Sequence, residues 1–268
     1  MQDTQCIDFL RWALPRLQLR WDGYRKVRRQ VCKRVSRRIR ELGLHGVEAY
    51  RAYLDADSKE WMVLDDLTRI TISRFFRERD VFAYLCDTVL PALHARLAPR
   101  AIRIWSAGCA GGEEAYTLAI AAKERGIAVQ ILGTDCDRHQ LARAHAARYA
   151  RGCLKDLPAH WRASAFDEVG DELVLRRELL ASVELLQQDL RREMPAGPFH
   201  LILCRYLAFT YFDTALQRDI ATGLLRRIAR DGYLVLGKHE SWPAEVPGLE
   251  EARRGLRVYR RSQESTTG

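Results

Sequence analysis

An α/β sheet preceded by an all-helical module is the architecture this sequence predicts. Two observations carry it. From residue 101 onward, short apolar runs alternate with amphipathic stretches, whereas residues 1–90 show only helical periodicity. Buried strands separated by helices imply a parallel sheet covered on both faces. A third feature, the turn "EVGDEL" within 166–190, predicts a small antiparallel insertion at about 160–186.

In chain order, helices are expected over 4–20, 23–42, 46–54, 58–70 and 78–95, with Gly43 and Gly46 punctuating the second and third. Pro91 and Pro99 bracket the change of pattern, so the helical domain is read as 1–90 and the α/β domain as 91–268. The strand IRIW leads to a helix at 113–125, VQILGTD to one at 137–148, and HLILC to one at 214–230. YLVLG and a C-terminal LRVYR complete the sheet.

At 268 residues the chain is long enough for one large domain or two modest ones with a sizeable core. None of its apolar runs reaches the roughly 20 residues of a membrane span. The first segment is broken by Asp8, Arg11 and Arg16, so it lacks the apolar stretch of a signal peptide and a cytoplasmic protein is expected. Seven scattered cysteines, none in a CxxC pair, suit a reducing compartment better than a disulfide framework or a zinc site.

The net charge of +9 is concentrated in RKVRRQVCKRVSRRIR, residues 25–40, which hold nine Lys/Arg and no acid. Val27, Val31, Val35, Ile39 and Leu42 recur at helical spacing, so one stripe is apolar and the remaining circumference cationic. Such a self-repelling helix predicts an acidic partner: nucleic acid, an anionic membrane surface or an acidic protein.

The first strand exits into "SAGCAGGEEAY", whose glycines, Gly108, Gly111 and Gly112, do not match the GxGxxG dinucleotide pattern. Glu113 and Glu114 occupy the helix start, where a pyrophosphate is normally held. Two carboxylates repel phosphate and welcome a cation. The second strand ends on Asp135, the position from which an acid accepts ribose hydroxyls. An adenosine carrying positive charge and no phosphate fits both signals, and S-adenosylmethionine is such a cofactor. The structural alternatives are a first-turn Glu favoured by the helix dipole and an Asp135 that merely caps the next helix.

Five stretches, "RVSRRIRELGLHGVEAYRAYL", "TRITISRFFRE", "WSAGCAGGEEAYTLA", "ILGTDCDRHQLARAHAARY" and "LILCRYLAFTYFD", resemble, in chain order, motifs of the CheR family of chemoreceptor glutamate methyltransferases. The resemblance covers about 25–245. It implies a class I, Rossmann-like methyltransferase sheet with a helical N-terminal domain for receptor recognition and a small β-subdomain. It implies transfer of methyl from S-adenosylmethionine to a receptor glutamate, giving a γ-methyl ester and S-adenosylhomocysteine. It implies cofactor contacts at Ser73, Arg77, Ala107, Gly108, Glu113, Asp135, Cys136, Asp189, Leu190, Tyr206 and Leu207, with Arg77 and Tyr211 at the methyl-acceptor end. An acidic helical receptor then becomes the expected partner of the basic helix, and a monomer the expected state.

The sequence departs from the family pattern at the reactive end. The family's Cys-Arg-Asn is Cys204-Arg205-Tyr206, an additional residue precedes Tyr211, Asp189 replaces an Asn, and Gly-His-Ser-Glu is Gly237-Lys238-His239-Glu240. A nucleic-acid methyltransferase built on the same sheet is the alternative, although the chain lacks the Asp/Asn-Pro-Pro-aromatic tetrad of amino-group methylation. A module that senses S-adenosylmethionine without turning it over is the third reading.

Overall fold

The computed structural model describes residues 2–262. Their contacts divide into two compact units, 2–72 with 210–217, and 73–209 with 218–262.

The first unit is a helical cluster. Helices Asp3–Ala13, Arg28–Glu41, Val47–Ala56 and Glu60–Thr68 turn Phe9, Leu10, Val31, Val35, Tyr50, Leu54 and Leu64 inward. The expected 23–42 helix is two helices, Trp21–Tyr24 and Arg28–Glu41. The first helix stops at Ala13 and passes into a 3-10 turn over Leu14–Leu17, where Pro15 has no amide to continue the α-helical ladder. Segment 210–217 joins this unit through an antiparallel bridge between Leu19 and Phe212 and a 2.8 Å bond from the Arg20 amide to the Tyr211 carbonyl. Gly23 permits that approach, because a Cβ there would lie 2.2 Å from the Thr210 carbonyl oxygen.

One cysteine expectation is corrected. Cys6 and Cys32 form a disulfide, with Cα atoms 5.9 Å apart, linking helix Asp3–Ala13 to the basic helix. Their separation of 26 residues has no motif signature; only helix packing makes them neighbours.

The second unit holds the sheets. The strands are β1 (Ile102–Ala107), β2 (Val129–Asp135), β3 (Arg148–Ala150), β4 (Phe166–Val169), β5 (Glu172–Leu175), β6 (Val183–Gln187), β7 (Phe199–Leu203), β8 (Ile228–Val235), β9 (Leu249–Arg253) and β10 (Val258–Arg261). The main sheet has the order β6-β2-β1-β7-β8-β10-β9. Its first five strands are parallel, and β10 and β9 are antiparallel. The strands β3, β5 and β4 form the small antiparallel sheet. Its hairpin turns at Gly170, where φ is +61°, as "EVGDEL" predicts. Its extent differs from the expected 160–186: it recruits Arg148–Ala150, while Val183–Gln187 pairs with β2 on the main sheet.

The unit boundary falls at 72/73 rather than near 90. The reason is hydrophobic. Phe75, Phe76, Val81, Phe82, Leu85 and Leu90 belong to the same buried cluster as Ile102 and Ile104 of β1, so residues 73–97 cover the sheet.

Candidate active site

The site begins where β1 ends. Gly108, at φ +79°, turns the chain, and the amides of Gly108 and Cys109 both donate to the Thr134 carbonyl of β2, at 2.8 and 2.9 Å. The loop is thus folded back over the neighbouring strand. The Tyr149 hydroxyl donates to the Gly111 carbonyl at 2.7 Å, and Gly112, at φ +85°, begins helix Glu113–Glu124.

The two glutamates have different environments. Glu113 is 0 % exposed, and neither carboxylate oxygen accepts a hydrogen bond among the described residues. Its ion-pair partner is Arg143, whose guanidinium lies so close to Gly111 that a Cβ there would meet Nη2 at 2.3 Å. Glu114 is fully engaged: Ser106 Oγ donates to Oε1 at 2.7 Å and Arg205 Nη1 to Oε2 at 2.9 Å. A buried carboxylate lacking hydrogen bonds is costly unless a cation completes it.

Asp135, at the end of β2, accepts the amides of Ala110 at 2.9 Å and Asp137 at 2.8 Å. The following helix is capped by Asp137, whose Oδ1 accepts from His139 and Gln140. Asp135 is therefore a brace of the glycine loop, and Cys136 follows it half-buried. Asp189 and Leu190 follow β6. Asp189 accepts three bonds from Arg191 at 2.8–3.2 Å, besides its backbone amide at 3.0 Å. Burial opposes that carboxylate's charge, but the Arg191 bonds outweigh it and hold Asp189 below the usual carboxylate range.

Tyr206 and Leu207 follow β7, with Leu207 against Gly108. The residues Ala107, Gly108, Asp135, Cys136, Asp189, Leu190, Tyr206 and Leu207 therefore gather at the carboxyl ends of four adjacent parallel strands, β6-β2-β1-β7. This is the edge at which open α/β sheets bind ligands. Arg77 reaches the same place, its guanidinium carbon 4.1 Å from the Tyr206 ring centroid. Burial disfavours its charge, and the neighbouring Arg205 adds repulsion, so its pKa is lowered. Ser73 is the half-buried first residue of this unit. Tyr211 packs with the first unit, its ring 5.1 Å from that of Tyr24.

Several site residues escaped the sequence reading. Arg205 is buried between Glu78, with Nη2 2.6 Å from Oε2, and Glu114. Glu240 Oε2 accepts the amides of Tyr206 at 2.8 Å and Gly237 at 2.7 Å, tying the ends of two strands together. The clue to Glu78 and Arg205 was adjacency: each stands beside a residue already singled out, Arg77 and Tyr206. Arg143 carried no comparable signal.

A family model, CheR methyltransferase, SAM binding domain, matches residues 71–255. The chain belongs to the CheR methyltransferase family. It is 32 % identical over 249 residues to the chemotaxis protein methyltransferase of Salmonella typhimurium, covering 88 % of this chain and 83 % of that one. It is 31 % identical over 227 residues to that of Klebsiella aerogenes, covering 80 % and 76 %. It is also 30 % identical over 255 residues to an uncharacterized 104.1 kDa protein of Rhodobacter capsulatus, covering 84 % of this chain but only 27 % of that relative. The cofactor of this CheR chain is S-adenosylmethionine, and Glu113 fits it: a buried carboxylate on the glycine loop, already balanced by a guanidinium, is an environment that suits a cationic group. No helix among the described residues is long and apolar enough to cross a membrane.

Proposed function

We propose that this protein methylates glutamate side chains of an acidic, helical, chemoreceptor-type protein in the cytoplasm, forming γ-methyl esters. The observation that carries this reading is Arg77, a partly desolvated guanidinium placed beside Tyr206 at the ligand-binding edge of the sheet. A guanidinium is suited to a planar carboxylate, which it can hold through paired hydrogen bonds. The relatives named as chemotaxis methyltransferases support the same acceptor class.

S-adenosylmethionine supplies a methyl group already activated by a sulfonium. The acceptor needs no base, because glutamate, with a reference pKa of about 4.3, is ionised at neutral pH. The protein's task is then to position and to exclude water. Glu113 would hold the cofactor's ammonium, and the loop braced by Asp135 would shape the adenosine seat together with Asp189 and Leu190. Arg77 orients the acceptor carboxylate. Tight pairing with Arg77 lowers the carboxylate's nucleophilicity, so orientation is the benefit. The cationic face of helix Arg28–Glu41 docks the receptor.

Incubation with labelled S-adenosylmethionine and the cytoplasmic fragment of a chemoreceptor tests the reading. Alkali-labile label on the fragment supports it. Alkali-stable label, or label on RNA supplied as a competitor, favours a nucleic-acid or amine acceptor instead. Cofactor binding without label on any acceptor favours a sensing module.

A further inference from the structure

The structure fixes Tyr206, at the carboxyl end of β7, at three separate points. Tyr206 stands at φ +55°, a region that bulky side chains enter only at a cost. Its amide is bound by Glu240. Its ring lies against Gly237, where a Cβ would fall 2.7 Å from Cζ, so only glycine admits the ring. Its hydroxyl donates to Glu78 Oε1, while Oε2 of the same carboxylate takes Arg205. Burial, followed by that bond to Glu78, pushes the phenol pKa up and keeps it protonated. The tyrosine is thus held at its amide, its ring and its hydroxyl. A side chain confined in this way is a platform, and Arg77 rests on it.

Arg77 needs such a platform. Burial disfavours its charge, and Arg205 stands nearby with the same sign. The electron-rich face of a phenol offsets both penalties and limits the rotamers of a long side chain.

We propose that Tyr206 is a positioning residue that holds the Arg77 guanidinium on its ring and so presents it to the acceptor carboxylate. The inference rests on the proposed role of Arg77 toward that carboxylate. It assigns a use to an aromatic residue at this position: a short amide offers no π-face, whereas the Tyr206 ring lies 4.1 Å from the Arg77 guanidinium carbon. Glu78 and Gly237 are the parts that make the ring rigid, one by holding the hydroxyl and the other by leaving room for the ring.

The test compares wild type, Tyr206→Phe, Tyr206→Leu and Arg77→Ala by two readouts in the full chain. The first is the rate at which phenylglyoxal modifies Arg77, followed by mass spectrometry. The second is KM, against kcat, for a chemoreceptor cytoplasmic fragment. In Tyr206→Leu the modification rate and the KM should each rise about tenfold, as expected for loss of a partly desolvated cation–π contact. Affinity for S-adenosylhomocysteine should stay within about twofold. Tyr206→Phe keeps the ring and should restore both readouts toward wild type, which a general loss of packing would not allow. An unchanged Arg77 modification rate in Tyr206→Leu overturns the proposal, and so does a loss confined to cofactor affinity. If Arg77→Ala leaves KM unaltered, or wild type does not methylate the fragment, the proposed acceptor reading fails instead. The modification rates then still decide whether the ring holds the arginine.

Discussion

Glu113 concentrates the electrostatics of the site in one side chain. A carboxylate with no exposure and no hydrogen-bond donor keeps its charge only beside a cation. In this structure the cation is Arg143; the proposed function gives the cofactor's ammonium the same carboxylate. Replacing Glu113 by Ala should lower affinity for S-adenosylhomocysteine by about ten- to 150-fold, the value of a charge-assisted hydrogen bond, measured by calorimetry. Wild-type affinity in that variant would remove Glu113 from the site. Asp189 gives a prediction in pH. Its folded pKa is depressed, so the stability it contributes is present above the unfolded value of about 3.9 and is lost as pH falls through the lower folded value. Thermal melting of Asp189→Asn from pH 6 to pH 3 should therefore show a shallower acid loss than wild type. Glu113 and Asp135 were visible by position, at a helix start and at a strand end, and Tyr206 because it breaks the resembled Cys-Arg-Asn pattern. The sequence did not show that Asp135 braces the glycine loop, or that Tyr206 meets Glu78, since those contacts join residues far apart in the chain.

The basic helix shows what periodicity can and cannot convey. Its apolar stripe of Val31, Val35 and Ile39 is buried as the spacing predicts. The other face divides by partner. Arg28 bonds Asp3, Arg34 bonds the Leu67 and Arg69 carbonyls, and Arg38 makes two bonds to the buried Glu60. Arg37 meets Glu41 at 3.5 Å, an i,i+4 acid that lies just past the cationic run. Arg25, Lys26, Arg29, Lys33, Arg37 and Arg40 remain exposed. Charge reversal at Arg29, Lys33 and Arg37 should weaken receptor binding and flatten its salt dependence, because exposed charges are screened beyond about 8 Å at 0.15 M. Unaltered binding of the triple variant would place the docking surface elsewhere. Glu60, which also accepts from Tyr50 at 2.8 Å, anchors the helix from inside. Removing its carboxylate as Glu60→Ala should destabilise the first unit by about 3 kcal/mol, since Arg38 and Tyr50 both lose their partner. Denaturant unfolding measures this.

At the scale of the molecule, the alternation of strands and helices exposed the parallel sheet, because each buried strand is a short apolar run. The unit boundary was hidden. Residues 78–95 read as helix in either domain, and only their packing beside Ile102 and Ile104 assigns them to the sheet. The disulfide was hidden likewise. Reduction of Cys6–Cys32 should lower the stability of the first unit by about 3 kcal/mol, as expected for opening a loop of this length. The melting transition with and without reductant reads this. Carboxylate methylation is distinguished from other methyl transfer by the chemical nature of the transferred group. Labelled methyl from S-adenosylmethionine should appear on the chemoreceptor cytoplasmic fragment and leave as volatile methanol in alkali, and the label should vanish when the fragment's acceptor glutamates are changed to alanine. Label that survives alkali, or that persists without those glutamates, would show that the protein does not methylate glutamate carboxylates.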